Sequence, residues 1–387
     1  MRSHPPNPAL DDGVKQSLRA VLRHAMALEN GLEVTPLDRG NLDSRAFLSE
    51  VRRQRVEIFL SAHLSELGLP HDVSDQIRDW AAQLKMRAMS CAVATREAWA
   101  ALDSAGIDAL VIKGIALSLQ TTGSITGRGP GDIDLWVRPS EVGSAVRALE
   151  AIGYRVSASS PTSEFTSWRG RFTQWAAFEL QMERNGLPLD LHWQLAGARH
   201  GLPTFDNAWR GRVKVDIGGT QVCTLAPEDA FVHSCSHAHR DGWGWLRSLI
   251  DIDRLSRVTT IELSSGRSSR ALSLSAAMAY DVTASPSLRP WISQDVSAVK
   301  RARRIALMKQ SGSGWSVAQA WSLQSTWDWL HQYLQLAGDA GDVTRVLLGF
   351  ALPPELLIDA TSRQPVPLRR AIGARFGKMA RRVSHQD

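Results

Sequence analysis

Residues 110–137, LVIKGIALSLQTTGSITGRGPGDIDLWV, decide how the chain folds. Leu110–Ile112 and Ile133–Val137 are short apolar, β-branched runs that predict strands, and Lys113-Gly114 closes the first of them. Alternate side chains of a strand share a face, so Asp132 and Asp134 point together while Ile133, Leu135 and Val137 point the other way. Two carboxylates held side by side repel unless a cation sits between them, and oxygen ligands at this spacing suit Mg²⁺ or Mn²⁺. The glycines of GRGPG, residues 127–131, let backbone or Arg128 approach an anionic ligand closely.

Downstream, LPLDLHW (187–193) repeats the pattern. Leu187, Leu189, Leu191 and Trp193 alternate with Pro188, Asp190 and His192, which places Asp190 on the polar side of the same sheet. A carboxylate flanked by leucines in a strand is costly to bury without a partner. DALVIK, YRVSA and WAAFELQM read as further strands, Pro139–Ile152 as a helix begun by proline, and the α/β segment ends near Cys223–Leu225. Before it, Val14–Glu33, Phe47–Leu67 and Val73–Ala105 carry apolar residues at helical spacing with no internal proline. After Pro227 helical patterns return, punctuated by GRSSR, ASPSLRP, KQSGSGW and AGDAGD. The expected fold class is α+β, a mixed sheet flanked by N-terminal and C-terminal helical regions. Its expected divisions are a helical region at 1–105, an α/β core at 106–226, a helical domain at 227–362 that closes a cleft over Asp132, Asp134 and Asp190, and a tail at 363–387.

The 387 residues are 43% hydrophobic and 22% charged, a globular composition for more than one domain. No run reaches the roughly 18 apolar residues of a membrane span, and the opening MRSHPPNPALDDG lacks the apolar core of a signal peptide, so a cytoplasmic protein is expected. Cys91, Cys223 and Cys235 are too few and too scattered for a disulfide framework. The net charge of +6 is concentrated: residues 363–387 hold seven basic residues and one acidic, leaving 38 of each sign elsewhere. The body is therefore neutral and implies no extended nucleic-acid groove. Leu368, Ile372, Phe376, Met379 and Val383 fall at helical spacing among the tail's basic residues. A basic amphipathic helix docking its apolar stripe on the body is expected, with RNA or an anionic surface as the alternative partner.

In PEDAFVHSCSHAHRDGWGWL (227–246), Pro227, Glu228 and Asp229 open a helix on which His233 and His237 stand one turn apart. Without H-E-x-x-H or paired cysteines these read as packed or substrate-facing histidines rather than a zinc site. Asp251 and Asp253 fit a solvated or helix–helix polar face. Of the 14 tryptophans, Trp80, Trp99, Trp193, Trp321 and Trp329 read as core or interdomain anchors, and Trp136 and Trp243 as near-site aromatics.

The order of strand, KG, helix, RGPGDIDLWV, helix with GY, and LDLHW resembles the DNA polymerase β-like nucleotidyltransferase superfamily over residues 105–255. More closely it is similar to the bacterial group labelled uncharacterised nucleotidyltransferases. The resemblance implies a polymerase β-like core with its glycine turn at Lys113 and Gly114, its D-x-D pair at Asp132 and Asp134, and its third carboxylate at Asp190. Most superfamily members have Gly-Ser where this chain has Gly114-Ile115, so Lys113, Gly114 and Arg128 are the expected nucleotide contacts. The implied chemistry is two-metal transfer: the three aspartates hold two Mg²⁺ or Mn²⁺ ions, an acceptor hydroxyl attacks the α-phosphorus of an NTP such as ATP, and pyrophosphate leaves. The closer group carries a histidine-bearing helix after its third carboxylate strand, which makes His237, His239 and Arg247, with His192 on the strand, candidates for a substrate pocket. The neutral body points to a small-molecule or peptide/protein acceptor. The alternatives are a tRNA-directed toxin that uses the basic tail for RNA, and a catalytically silent nucleotide- or partner-binding protein.

Overall fold

The computed structural model describes residues 8–32, 34, 42–129, 131–157, 165–197, 201–259, 270–311, 330–331, 333–359 and 364–374. Among them, seven strands form one mixed sheet: β1 (Ala109–Val111), β2 (Ile133–Val137), β3 (Arg155–Val156), β4 (Glu179–Arg184), β5 (Leu187–His192), β6 (Val213–Ile217) and β7 (Thr220–Thr224). Their order is β3-β4-β5-β2-β1-β7-β6, with β2 parallel to β5, β1 parallel to β7, and the other neighbours antiparallel. The fold class is α+β, as expected.

Helices cover both faces of the sheet. α1 (Pro8–Glu29), α2 (Ser44–Gln54), α3 (Glu57–Ser61), α4 (Leu64–Leu67) and α5 (His71–Ser104) precede it. α6 (Gly114–Thr122), α7 (Val142–Ala151), α8 (Trp168–Ala176) and α9 (Phe205–Gly211) lie within it in sequence. α10 (Pro227–Arg240), α11 (Leu246–Val258), α12 (Arg270–Thr283) and α13 (Val296–Ser311) follow. On one face Ile133, Leu135, Val137, Leu189, Leu191 and Trp193 are buried against Ala94, Ala98 and Leu102 of α5 and Ala145, Val146 and Leu149 of α7. The period-2 alternation of both strands thus sends their apolar residues to one core and their aspartates to the other face.

A second core joins chain segments far apart in sequence. Leu18 and Leu22 of α1 and Phe47 and Val51 of α2 pack with Phe231 of α10, Leu249 of α11 and Leu272 of α12. That packing brings the end of α2 and the start of α3 to the polar face of the sheet, alongside α10 and α11, where one cavity is lined from all of them. No helix among the described residues is long and apolar enough to cross a membrane.

Several sequence expectations need correction. The helix expected over Phe47–Leu67 is three short helices, because Arg55 adopts the left-handed conformation (φ 57°) and its N–H closes back on Arg52 and Val51. In WAAFELQM, Trp175 and Ala176 end α8 and the strand begins at Glu179. Trp136 is not at the site: it is buried, its ring 5.2 Å from Phe205 in an edge-on contact. Trp243 is also in the core, stacked on His239 and donating to Ser275 Oγ at 2.8 Å. In the tail, 368–374 is helical, with Leu368 and Ile372 exposed and Ala371 buried, so the first two residues of the expected apolar stripe do not dock. The rest of that stripe, and Trp321 and Trp329, lie outside the described residues.

Candidate functional site

The site begins at the turn from β1 into α6. Lys113 has φ 55° and Gly114 φ 42°, and a Cβ on Gly114 would sit 3.0 Å from the Asp132 carbonyl oxygen. Only glycine permits that approach, while Lys113 sits in a backbone region that costs on the order of 1–3 kcal/mol. The turn delivers the Lys113 ammonium to 3.4 Å from Asp134 Oδ1. Ile115 points into the core with α5 and the sheet, so no side chain there occupies the place of the superfamily's serine. Ser118, one turn later, donates to Ser124 O at 2.6 Å and accepts the Arg128 N–H at 3.1 Å, which pins the loop leading to Asp132.

Strand register completes the centre. Asp134 lies directly beside Asp190 across the parallel β2–β5 pair, and His192 beside Trp136 on one side and Glu179 on the other. His192 Nε2 is 3.0 Å from Asp134 Oδ1, and one ligand atom from each of Asp134, Asp190 and His192 falls within 4.8 Å of the others. His192 Nδ1 lies 3.3 Å from Glu179 Oε2, but in a geometry that closes no hydrogen bond, so this buried nitrogen has none among the described residues. Two carboxylates and an imidazole at this spacing could hold a divalent cation, and Asp132 lines the same cavity.

Charge is unevenly shared among the acids. Burial raises the Asp134 carboxyl, but Lys113 and His192 outweigh it and hold Asp134 well below the usual carboxylate range. Asp132 is raised by burial and by Asp134. Asp190 is pushed up to about 8 by burial, then by Glu179 and Asp134. In the absence of a cation the cluster therefore keeps its charge on Asp134, beside Lys113, and takes up a proton at Asp190.

The cavity, of about 630 Å³, brings together Asp132, Asp134, Asp190, Lys113, Gly114, Arg128, His237 and Arg247; His192, expected in a substrate pocket, does not line it but is fully buried against Asp134. Arg128 is already engaged: its half-buried Nε donates to Asp251 Oδ2 at 2.8 Å, and Asp251 is buried, so Asp251 is a cavity residue and not a solvated one. Asp253 is buried too, paired with Arg257. His237 holds Asp241 at 3.3 Å and accepts from Arg240 at 2.8 Å; burial and Arg240 keep it neutral. His233 lines the cavity and is likewise kept neutral, mainly by burial. His239 is not brought to the cavity, because two residues along a helix turn it to the opposite side, where it stacks on Trp243 and contacts Gln335 at 3.3 Å.

Sequence reading missed Glu179, Arg52, Arg55, Glu57, Arg87 and Trp245, all of which line the cavity. Glu179 carried a signal, since it shares the polar face of a strand with Gln181 and lies opposite His192. The others come from helices whose approach no local pattern encodes.

A sequence model of the family described as "Uncharacterised nucleotidyltransferase" matches residues 40–277. Among solved structures, the crystal structure of an antigenic nucleotidyltransferase-like protein from Paracoccidioides brasiliensis is similar at 13% identity and a TM-score of 0.30, over 57% of this chain and 92% of that one. No curated protein matches. The family match takes in every residue that lines the cavity, from Arg52 to Asp251. The chain therefore belongs to the uncharacterised nucleotidyltransferase family, within the nucleotidyltransferase superfamily.

Proposed function

We propose that the chain is a divalent-cation-dependent nucleotidyltransferase that moves a nucleoside monophosphate from an NTP to a hydroxyl of a small molecule, peptide or protein. The observation that carries this reading is the convergence of Asp134, Asp190 and the buried His192, the two aspartates lining a cavity that also holds Asp132, Lys113 and several arginines. Asp132, Asp134 and Asp190, with His192, would hold the cation or cations. Bound there, a cation supplies neutralisation of the transferring phosphoryl group and acidifies the acceptor hydroxyl. Lys113 balances the charge of Asp134, and Glu179, opposite His192 in register, acts electrostatically on Asp190, where an acceptor proton can be received. A volume of about 630 Å³ suits a nucleotide with a small acceptor group.

Calorimetry of each NTP with and without Mg²⁺ or Mn²⁺, followed by pyrophosphate release over an acceptor panel, tests the reading. Metal-dependent binding of at least one NTP is expected; no binding of any NTP overturns it. The imidazole in the donor set gives a second expectation, because nitrogen donors suit Mn²⁺ better than Mg²⁺. His192→Ala should weaken Mn²⁺ binding by at least the roughly 10–100-fold that loss of an orienting partner costs. Mg²⁺ binding should weaken less, as read by a Mn²⁺ EPR titration with Mg²⁺ competition. Equal losses for the two ions would exclude His192 as a ligand.

A further inference from the structure

We propose that Arg55, reaching in from the end of α2, joins Arg128 and Arg247 to form a cradle for the β- and γ-phosphates of the donor, which makes the N-terminal helices part of the nucleotide site. The inference rests on the NTP-donor reading above and adds residues outside the α/β core.

Arg55 is placed by its own backbone. It ends α2 in the left-handed conformation, and its guanidinium lies 4.8 Å from the ring centre of Trp245, the residue that caps α11 two positions before Arg247. A guanidinium placed over an indole face is held by the ring without using its N–H donors. Among the described residues Arg55 forms no ion pair and donates no side-chain hydrogen bond, although it lines the cavity.

The charges around it leave a positive excess. The carboxylates facing these arginines are Asp251, occupied by Arg128, Glu57, which burial pushes toward its neutral form, and Asp132, which burial and Asp134 likewise raise. Burial, then Arg128, lower Arg247 to about 9, with Arg55 adding repulsion and Asp251 opposing it. Arg55 and Arg247 are both among the cations that act on Asp132. Converging guanidinium groups in a half-buried wall are unfavourable until an anion of matching charge arrives. The wall also meets the start of α6: a Cβ on Gly131 would lie 3.8 Å from Arg128 Nη1 and 3.7 Å from the Gly114 Cα, so Arg128 and the start of that helix border the same glycine and line the same cavity. Several forked donors plus a helix N-terminus match a polyphosphate better than a single carboxylate.

The probe is inorganic tripolyphosphate, titrated calorimetrically without divalent metal into the full chain, into Arg55→Asn and into Arg247→Met. Asparagine tolerates the left-handed backbone, so Arg55→Asn removes the charge without imposing strain. Tripolyphosphate should bind the wild type and compete with NTP. Each variant should weaken it about tenfold or more and flatten its salt dependence, with an unchanged melting temperature for Arg55→Asn. Unchanged tripolyphosphate affinity in both folded variants overturns the cradle. Simultaneous binding of NTP and tripolyphosphate also overturns it, by assigning the arginines to a phosphate on the acceptor. If NTP binds the wild type with metal yet Arg55→Asn changes nothing, only the cradle fails; if the wild type binds no NTP, the donor reading fails.

Discussion

Asp134→Asn is expected to abolish metal-dependent NTP binding and to lower any transfer activity by on the order of 10³-fold. Asp134 joins three parts of the centre: it lies beside Asp190 in register, 3.0 Å from His192 Nε2 and 3.4 Å from Lys113 Nζ. It is also held ionised, because Lys113 and His192 outweigh its burial. Asparagine keeps the size and the capacity to accept a hydrogen bond, so the sheet around it is retained while the charge that would receive a cation is removed. Its effect on the metal-free protein has a definite sign. A carboxyl held below its ordinary value stabilises the fold above that value and loses the contribution as pH falls, so Asp134→Asn lowers the melting temperature at pH 7 and the deficit shrinks in acid. The checks are calorimetry with Mn²⁺ and ATP and the metal-induced rise in melting temperature. A variant that keeps the full metal-induced rise removes Asp134 from the metal site.

The carboxylate face was readable from the sequence because it depends only on local periodicity. DIDLWV and LPLDLHW each fix which residues share a face, and the core formed by Leu135, Val137, Leu189 and Leu191 shows why that alternation cannot slip by one residue. Helical periodicity also separates His233 and His237 from His239, a distinction that the sequence contained and that the expected site overlooked. Other features were out of reach of local patterns. Asp251 reads as a polar surface residue until Arg128, more than a hundred positions earlier, is packed against it. The break at Arg55 has no glycine to announce it, so the segment from Phe47 to Leu67 looks like one helix although it turns at the cavity rim. Alternation puts Trp136 on the Asp134 face of β2, but Phe205 from a later helix covers it. Residues that carry chemistry through strand alternation are thus legible, whereas those delivered by long-range helix packing are not.

Asp190→Asn is expected to act in opposite directions on the metal-free and metal-bound protein. Burial, Glu179 and Asp134 push Asp190 up to about 8, from an ordinary value of 3.8. Between those two values the folded chain keeps a proton that the unfolded chain has released, so stability falls as pH rises through this window. Each pH unit costs at most about 1.4 kcal/mol, reduced by the solvent that reaches the cavity. Asparagine imitates the protonated acid and removes this penalty. Without metal, Asp190→Asn should therefore melt higher than the wild type at pH 8, with the gain fading toward pH 4. Saturating Mn²⁺ should reverse the order, because a cation beside Asp134 and His192 favours the ionised Asp190 and gives the wild type a stabilisation the variant lacks. Melting curves of both proteins at pH 5 and 8, with EDTA and with Mn²⁺, separate the two effects. A variant less stable than the wild type in EDTA at pH 8 would show that Asp190 is satisfied by its protein neighbours alone. An equal Mn²⁺ response in both proteins would place the cation elsewhere.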